Sequence, residues 1–110
     1  MENRRKHSRP TLLGKVALSL PHEKGTMDGY TINISRGGIG IYLSRPLEMN
    51  TEADLILHFQ LEDQEKAEQI GGTVRWIKPI GDLFATGFQF RDLRQEKHPL
   101  IFAYLEVAVP

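Results

Sequence analysis

Residues 70–90, IGGTVRWIKPIGDLFATGFQF, contain the pattern that decides the fold. Apolar side chains recur with period two on both sides of a turn signal, KPIGD. This pattern is typical of two half-buried β-strands joined by a tight connection. We expect the inward-facing residues of this hairpin to be Ile70, Val74, Trp76, Phe84, Phe88 and Phe90.

The same alternation occurs in four earlier segments, at residues 11–20, 29–35, 38–44 and 53–62. The chain is therefore predicted to form six short strands. Short connections favour antiparallel pairing between neighbours in sequence, in a sandwich or a small barrel. The residues expected to face inward from these segments are Leu12, Val16, Leu18, Leu20, Tyr30, Ile32, Ile34, Ile39, Ile41, Leu43, Leu55, Leu57, Phe59 and Leu61.

The last segment, residues 94–109, changes to helical spacing. Pro99 fits the first turn of a helix, where its missing N–H costs nothing, so we expect the helix to begin within a few residues of it. One sheet closed on itself, with a terminal helix as a lid, buries all the apolar faces. The apolar positions of this helix are Leu100, Ile101, Tyr104, Leu105 and Ala108.

The composition is that of one globular domain of 110 residues, with 14 basic and 14 acidic side chains and no cysteine. The absence of cysteine excludes disulfides, a cysteine nucleophile and a thiolate metal site. No apolar run approaches the roughly 20 residues of a membrane helix, so we expect a cytoplasmic protein without membrane insertion. We expect no cofactor, no metal and no enzymatic activity, because no catalytic constellation is visible and the histidines lack metal-ligand spacing. These histidines are His7, His22, His58 and His98.

Positive charge is concentrated in residues 3–10, NRRKHSRP. We predict a flexible basic arm at 1–10 and a single barrel domain at 11–110. The arginine forks of Arg5 and Arg9 suit phosphate oxygens or a guanine edge. Taken alone, the arm fits a solvated or loosely RNA-binding tail somewhat better than a ligand clamp.

A second segment with binding potential is NISRGGIG, residues 33–40. Asn33 and Ser35 offer hydrogen-bonding groups on the outward face of a strand. Gly37 and Gly38 are expected to permit positive φ and to let a flat ligand approach the backbone. An ordinary hairpin with polar outward residues would show the same pattern.

Together, the R-x-x-x-R spacing of Arg5 and Arg9 and the Asn-x-Ser-x-x-Gly run from Asn33 to Gly38 resemble the PilZ domain, a bacterial receptor for cyclic di-GMP. The resemblance extends through residues 72–90. It implies a mainly β fold, a six-stranded antiparallel β-barrel with a C-terminal α-helix. It also implies a cyclic di-GMP site formed by Arg4, Arg5, Arg9, Asn33, Ser35, Gly37 and Gly38.

In this resemblance Arg5 and Arg9 would hold phosphates and guanine, and Asn33 and Ser35 would bind a guanine edge. Asn33 stands where many members carry Asp, and an amide lacks the charge that accepts guanine donors most strongly. Arg4 just before the motif implies two stacked ligands per chain. The arm is expected to order on binding and to signal to a downstream protein partner.

Two alternatives remain open from the residues. One is a small barrel that binds single-stranded RNA or DNA through the arm, although most aromatic residues are predicted to face inward, with Tyr42 the main exception. The other is a PilZ-like protein adaptor without nucleotide binding. The intact motifs count against the second, and zero net charge counts against the first.

Overall fold

A computed structural model describes the backbone of residues 9–108 and the side chains of residues 9–106. Arg4 and Arg5 lie outside this range. The described chain contains six strands and one helix. They are β1 (Thr11–Ser19), β2 (Met27–Ile34), β3 (Gly38–Leu43), β4 (Glu52–Leu61), β5 (Gln64–Ile80), β6 (Leu83–Arg91) and α1 (Pro99–Ala108).

The strands form a closed barrel in the order β1-β2-β3-β6-β5-β4, and every neighbouring pair is antiparallel. The predicted fold class, a six-stranded antiparallel barrel with a C-terminal helix, is confirmed. Strands adjacent in sequence are paired except at the β3–β4 connection. There β4 pairs with β1 and β3 pairs with β6, which closes the sheet and leaves no described edge strand.

The barrel interior is filled by alternating apolar residues of β1, β3 and β4, as predicted, except that Leu61 at the end of β4 is only partly buried and lies outside the core. Phe59 is the largest side chain in the fully buried group. In β3 and β4, and in β1 from Val16 onward, apolar side chains face inward at every second position, which is how a small barrel fills its lumen. Further fully buried apolar side chains are Val16, Leu18, Ile41, Leu43, Leu55, Leu57, Ile70 and Val74.

The expected face of β2 is wrong for Tyr30 and Ile32. Tyr30 is 59% exposed, and Gly29 faces inward instead. A Cβ atom at Gly29 would collide with the side chains of Ile41 and Leu43, so these two residues already fill the interior there. The register with β3 shifts after Thr31, so Ile34 again packs against the core, as expected.

The expected face of β5 is wrong at Trp76, which is 46% exposed. Val74 lies opposite Phe88 and faces inward, whereas Trp76 lies opposite Gly87. Two positions of β5 therefore oppose one position of β6, so Arg75 is the extra residue of a β-bulge. Trp76 consequently points away from the core.

The helix begins at Pro99, as predicted. Ile101 and Leu105 are buried in the barrel core, and the ring of Tyr104 lies 6.3 Å from that of Phe59. The buried imidazole of His98 immediately before the helix accepts a hydrogen bond from Arg94 N–H at Nδ1 (3.1 Å). No helix in the described part of the chain is long and apolar enough to cross a membrane.

Candidate functional site

A cleft of about 320 Å³ lies on the outer surface of the barrel, between the β2–β3 turn and the bulged part of β5. Its lining includes Asn33, Ser35 and Gly38 on one side and Arg75, Trp76 and Gln89 on the other. The structure therefore brings four of the predicted site residues together, because Gly37 also lines the cleft.

The floor of the cleft is a row of paired residues that crosses four strands. Trp76 of β5 lies opposite Gly87 of β6, Gly87 opposite Gly40 of β3, and Gly40 opposite Asn33 of β2. A Cβ atom at Gly87 would collide with the Trp76 indole, and one at Gly40 would lie 2.9 Å from Asn33 Oδ1. The two glycines thus let the side chains of Trp76 and Asn33 lie against the sheet.

Two β-bulges orient the side chains at the ends of this row. In β2, Thr31 lies opposite Ile41 and Asn33 opposite Gly40, so Ile32 is an extra residue. Because of this bulge, Asn33 faces outward, as expected. The earlier part of β2, including Tyr30, has the opposite orientation to the one we expected. Together with the β5 bulge, it places hydrogen-bonding and aromatic groups beside one another on the surface, a common use of bulges near binding sites.

The β2–β3 turn is held by three hydrogen bonds. Ser35 N–H donates to Gly38 O (2.8 Å), Gly37 N–H to Ser35 Oγ (3.3 Å), and Phe90 N–H to Gly37 O (2.9 Å). The turn is therefore fixed both internally and against β6.

The expectation of positive φ at Gly37 and Gly38 is wrong, since the described glycines with positive φ are Gly25 and Gly81. Glycine is required at position 38 for a different reason. A Cβ atom there would collide with the carbonyl oxygen of Phe88 on the paired strand. The close approach of two backbones, rather than a left-handed conformation, is what this position needs.

Arg75 and Trp76 line the cleft, although the sequence analysis did not identify them as candidate site residues. Arg75 Nε donates to Gln89 Oε1 (2.7 Å), and Arg75 Nη1 donates to Asn50 Oδ1 (3.0 Å). Arg75 is the only ionisable side chain among the described residues that line the cleft. In the sequence, only Gly40 and Gly87 could have pointed to Arg75 and Trp76. Their role becomes visible only when it is known that β3 and β6 pair and place the two glycines side by side.

The β2–β3 turn also contacts the helix. The Arg36 guanidinium lies over the ring of Phe102, with Cζ 5.6 Å from the ring centroid, within cation–π range. Arg36 stands between Ser35 and Gly37 in the Asn-x-Ser-x-x-Gly motif, so the turn that lines the cleft is also in contact with α1.

Ion pairs outside the cleft are exposed. A hydrogen bond from Arg94 lowers the pKa of Asp92 below its usual value, and the nearby Lys97 ammonium acts in the same direction. His58 Nδ1 lies 3.3 Å from Glu65 Oε2 in the β4–β5 hairpin, consistent with a surface role. Arg9 is exposed just before β1.

Comparison with known proteins gives one family. The PilZ domain model matches residues 3–106, which include both motifs and the whole cleft. A search of curated proteins finds no match to the chain. PilZ domains are a binding and adaptor family rather than a catalytic one, and their ligand is cyclic di-GMP. With nearly its full length matched and a closed six-stranded barrel, the chain belongs to the PilZ domain family.

Proposed function

We propose that this chain is a receptor for cyclic di-GMP that binds its ligand in the cleft between the β2–β3 turn and the β5 bulge. The observation that carries the proposal is the arrangement of Asn33 and Ser35 opposite Trp76 across a floor of glycine backbone. A flat base needs such a floor, a stacking surface and hydrogen-bonding groups at its edge.

Each side chain has a chemical role in this proposal. Asn33 donates to and accepts from a guanine edge, and Ser35 adds a hydroxyl. The exposed indole of Trp76 stacks on a base. Arg5 and Arg9 supply guanidinium forks to the phosphates and guanine from the N-terminal arm. Gly38 keeps the turn close to β6, so that Ser35 stays at the cleft.

The arm would link ligand binding to output. A basic segment with few apolar residues gains its ordering energy mainly from the anionic ligand, so binding would change the conformation of residues 1–10. A downstream protein partner would then recognise the ligand-bound arrangement. We further propose two ligands per chain, because Arg4 adds a guanidinium that offsets repulsion between four phosphate charges.

Binding of single-stranded nucleic acid is the second candidate, and one observation favours it. Tyr30 and Trp76 are exposed on the outer face, where the sequence analysis expected them to be buried. Exposed aromatic rings are the stacking surfaces that single-stranded nucleic acids use. The tests must therefore include an oligonucleotide.

Calorimetric titration with cyclic di-GMP tests the proposal directly, with GTP and a single-stranded oligonucleotide as controls. Trp76 is the only tryptophan of the chain, so its fluorescence gives a second readout from within the cleft. We expect saturable binding of cyclic di-GMP with a change in tryptophan emission, and much weaker, though measurable, binding of single guanine nucleotides such as GTP. Preference for the oligonucleotide would reject the proposal in favour of the second candidate.

A further inference from the structure

Arg75 is held in a fixed position before any ligand arrives. Its guanidinium donates to Gln89 on β6 and to Asn50 in the β3–β4 connection. These bonds use two of the five N–H donors that an arginine carries, which leaves three for a ligand. A flexible surface arginine would lose side-chain entropy on binding, whereas this one has already lost much of it.

The partner Asn50 is itself fixed by the backbone. Asn50 N–H donates to Val74 O (2.9 Å), and Val74 N–H donates to Thr51 O (2.9 Å). Asn50 has a left-handed conformation with φ of 70°. The β3–β4 connection is therefore bonded to β5 directly beside the bulge, so the Asn50 amide has a defined place from which to orient Arg75.

The charge of the cleft comes from this residue. No carboxylate is found among the described residues that line it, and Arg75 is its one cation there. The opposite wall consists of the neutral groups of Asn33 and Ser35 and the backbone of the turn. Neutral donors and acceptors suit a base edge, and a guanidinium whose hydrogen-bond partners here are neutral amides suits an anion.

We propose that Arg75 is a phosphate-binding residue of this cleft, and that Gln89 and Asn50 are its positioning residues. The proposal rests on the function proposed above and extends it. The β5 bulge brings both Arg75 and Trp76 to the same cleft, so a base stacked on the indole has its own phosphate within reach of the guanidinium. The ligand is then held from two directions, by the arm and by a fixed arginine of the barrel wall.

The test is titration of cyclic di-GMP against the wild type, Arg75→Gln, Asn50→Gly and Arg45→Gln. Glycine at position 50 removes the amide but tolerates the left-handed backbone. Arg45 is an exposed arginine paired with Glu23 outside the cleft, so its variant is the matched control for loss of one positive charge. We expect Arg75→Gln to weaken binding by about tenfold, Asn50→Gly by about threefold, and Arg45→Gln by less than about twofold.

A second measurement distinguishes phosphate binding from a structural role or from base recognition. NMR titrations with GMP and with guanosine compare two ligands that differ by one phosphate. We expect Arg75→Gln to reduce the affinity for GMP and to leave that for guanosine unchanged. An equal reduction for both would overturn the phosphate assignment.

The outcomes separate this inference from the function on which it rests. A wild type that fails to bind cyclic di-GMP would reject the function and the inference together. A wild type that binds, with Arg75→Gln no weaker than Arg45→Gln, would reject the inference alone. If Arg75→Gln does not fold, the Asn50→Gly variant decides. Unchanged binding by folded Asn50→Gly would reject the positioning role. A lower affinity for GMP, with an unchanged affinity for guanosine, would support the proposal.

Discussion

The Glu68 carboxylate on β5 accepts a 2.6 Å hydrogen bond from the backbone N–H of Leu100, which lies 32 residues later in the first turn of α1. The same carboxylate accepts a 3.0 Å bond from Ile101 N–H. Phe102 N–H donates to His98 O, so Leu100 and Ile101 carry two of the N–H groups that a helix leaves without an internal partner. The first turn of α1 has no acidic residue of its own, so the barrel supplies the capping charge.

Glu68→Ala should therefore destabilise the fold. Loss of a helix cap costs about 1–2 kcal/mol, and the Glu68 cap also carries a charge near the positive end of the helix dipole. Glu68→Gln keeps one acceptor oxygen and should cost less than the alanine variant. Urea unfolding measures both free energies. Glu106→Ala, an exposed change in the same helix, serves as the control, and equal stability of Glu68→Ala and Glu106→Ala would contradict the capping role.

A pair of adjacent glycines tests the reason for glycine in the binding turn. Gly38→Ala should destabilise the barrel by about 1–3 kcal/mol, because the new Cβ meets the carbonyl of Phe88 on the paired strand. A Cβ at Gly37 would approach nothing closer than Ser35 Oγ at 3.9 Å, so Gly37→Ala should change the free energy of unfolding little. Thermal unfolding of the two variants decides the matter. Similar losses would mean that backbone conformation, and not close approach, sets the requirement.

Arg9 should contribute to binding and not to folding. Its side chain is exposed, before the first strand. Arg9→Ala should therefore weaken cyclic di-GMP binding by about tenfold to a hundredfold, as expected for loss of charge-assisted hydrogen bonds. The melting temperature without ligand should stay within about 1 °C of the wild type, because surface changes are nearly neutral. A steep fall in that temperature would mean that Arg9 packs on the barrel; unchanged affinity would remove it from the site.

The stoichiometry depends on Arg4 in our proposal. We expect two cyclic di-GMP molecules per chain for the wild type and one for Arg4→Leu, since an additional guanidinium stabilises a closely packed pair of anionic ligands. Calorimetry gives both ratios. A wild-type ratio near one would contradict the proposed pair. A ratio of two that persists in Arg4→Leu would keep the pair and remove Arg4 as its cause.

Where a strand contains no single extra residue, the sequence predicted correctly, at most positions, which side chains face the barrel interior. In β1 the chain advances four residues from Leu12 to Val16 while β4 advances two, from Phe59 to Leu57. The difference is even, so the faces are preserved and the alternating pattern was a correct guide. In β5 a single extra residue reverses the facing of Trp76, and nothing local in the sequence marks it.

The site was accessible to sequence analysis only in part. Asn33, Ser35 and Gly38 belong to one short motif, so their proximity in space follows from their proximity in the chain. Arg75 and Trp76 join the same cleft through pairing across β6 and β3, which are long-range contacts. The Asn50 amide that orients Arg75 comes from yet another segment, and no periodicity could have associated the two.

The two bulges have an evolutionary consequence. Ile32 and Arg75 are each the extra residue of a β-bulge and have no partner on the neighbouring strand. A chain that lacked both would keep the inward-facing pairs on either side of the bulges. These pairs are Thr31 with Ile41, Ile34 with Ile39, and Val74 with Phe88. Loss of either residue would therefore leave these inward pairings in register while changing the side chains of the outer surface. Among related chains, a gap at either position in an otherwise continuous alignment would mark a barrel that keeps its architecture and has a different surface chemistry.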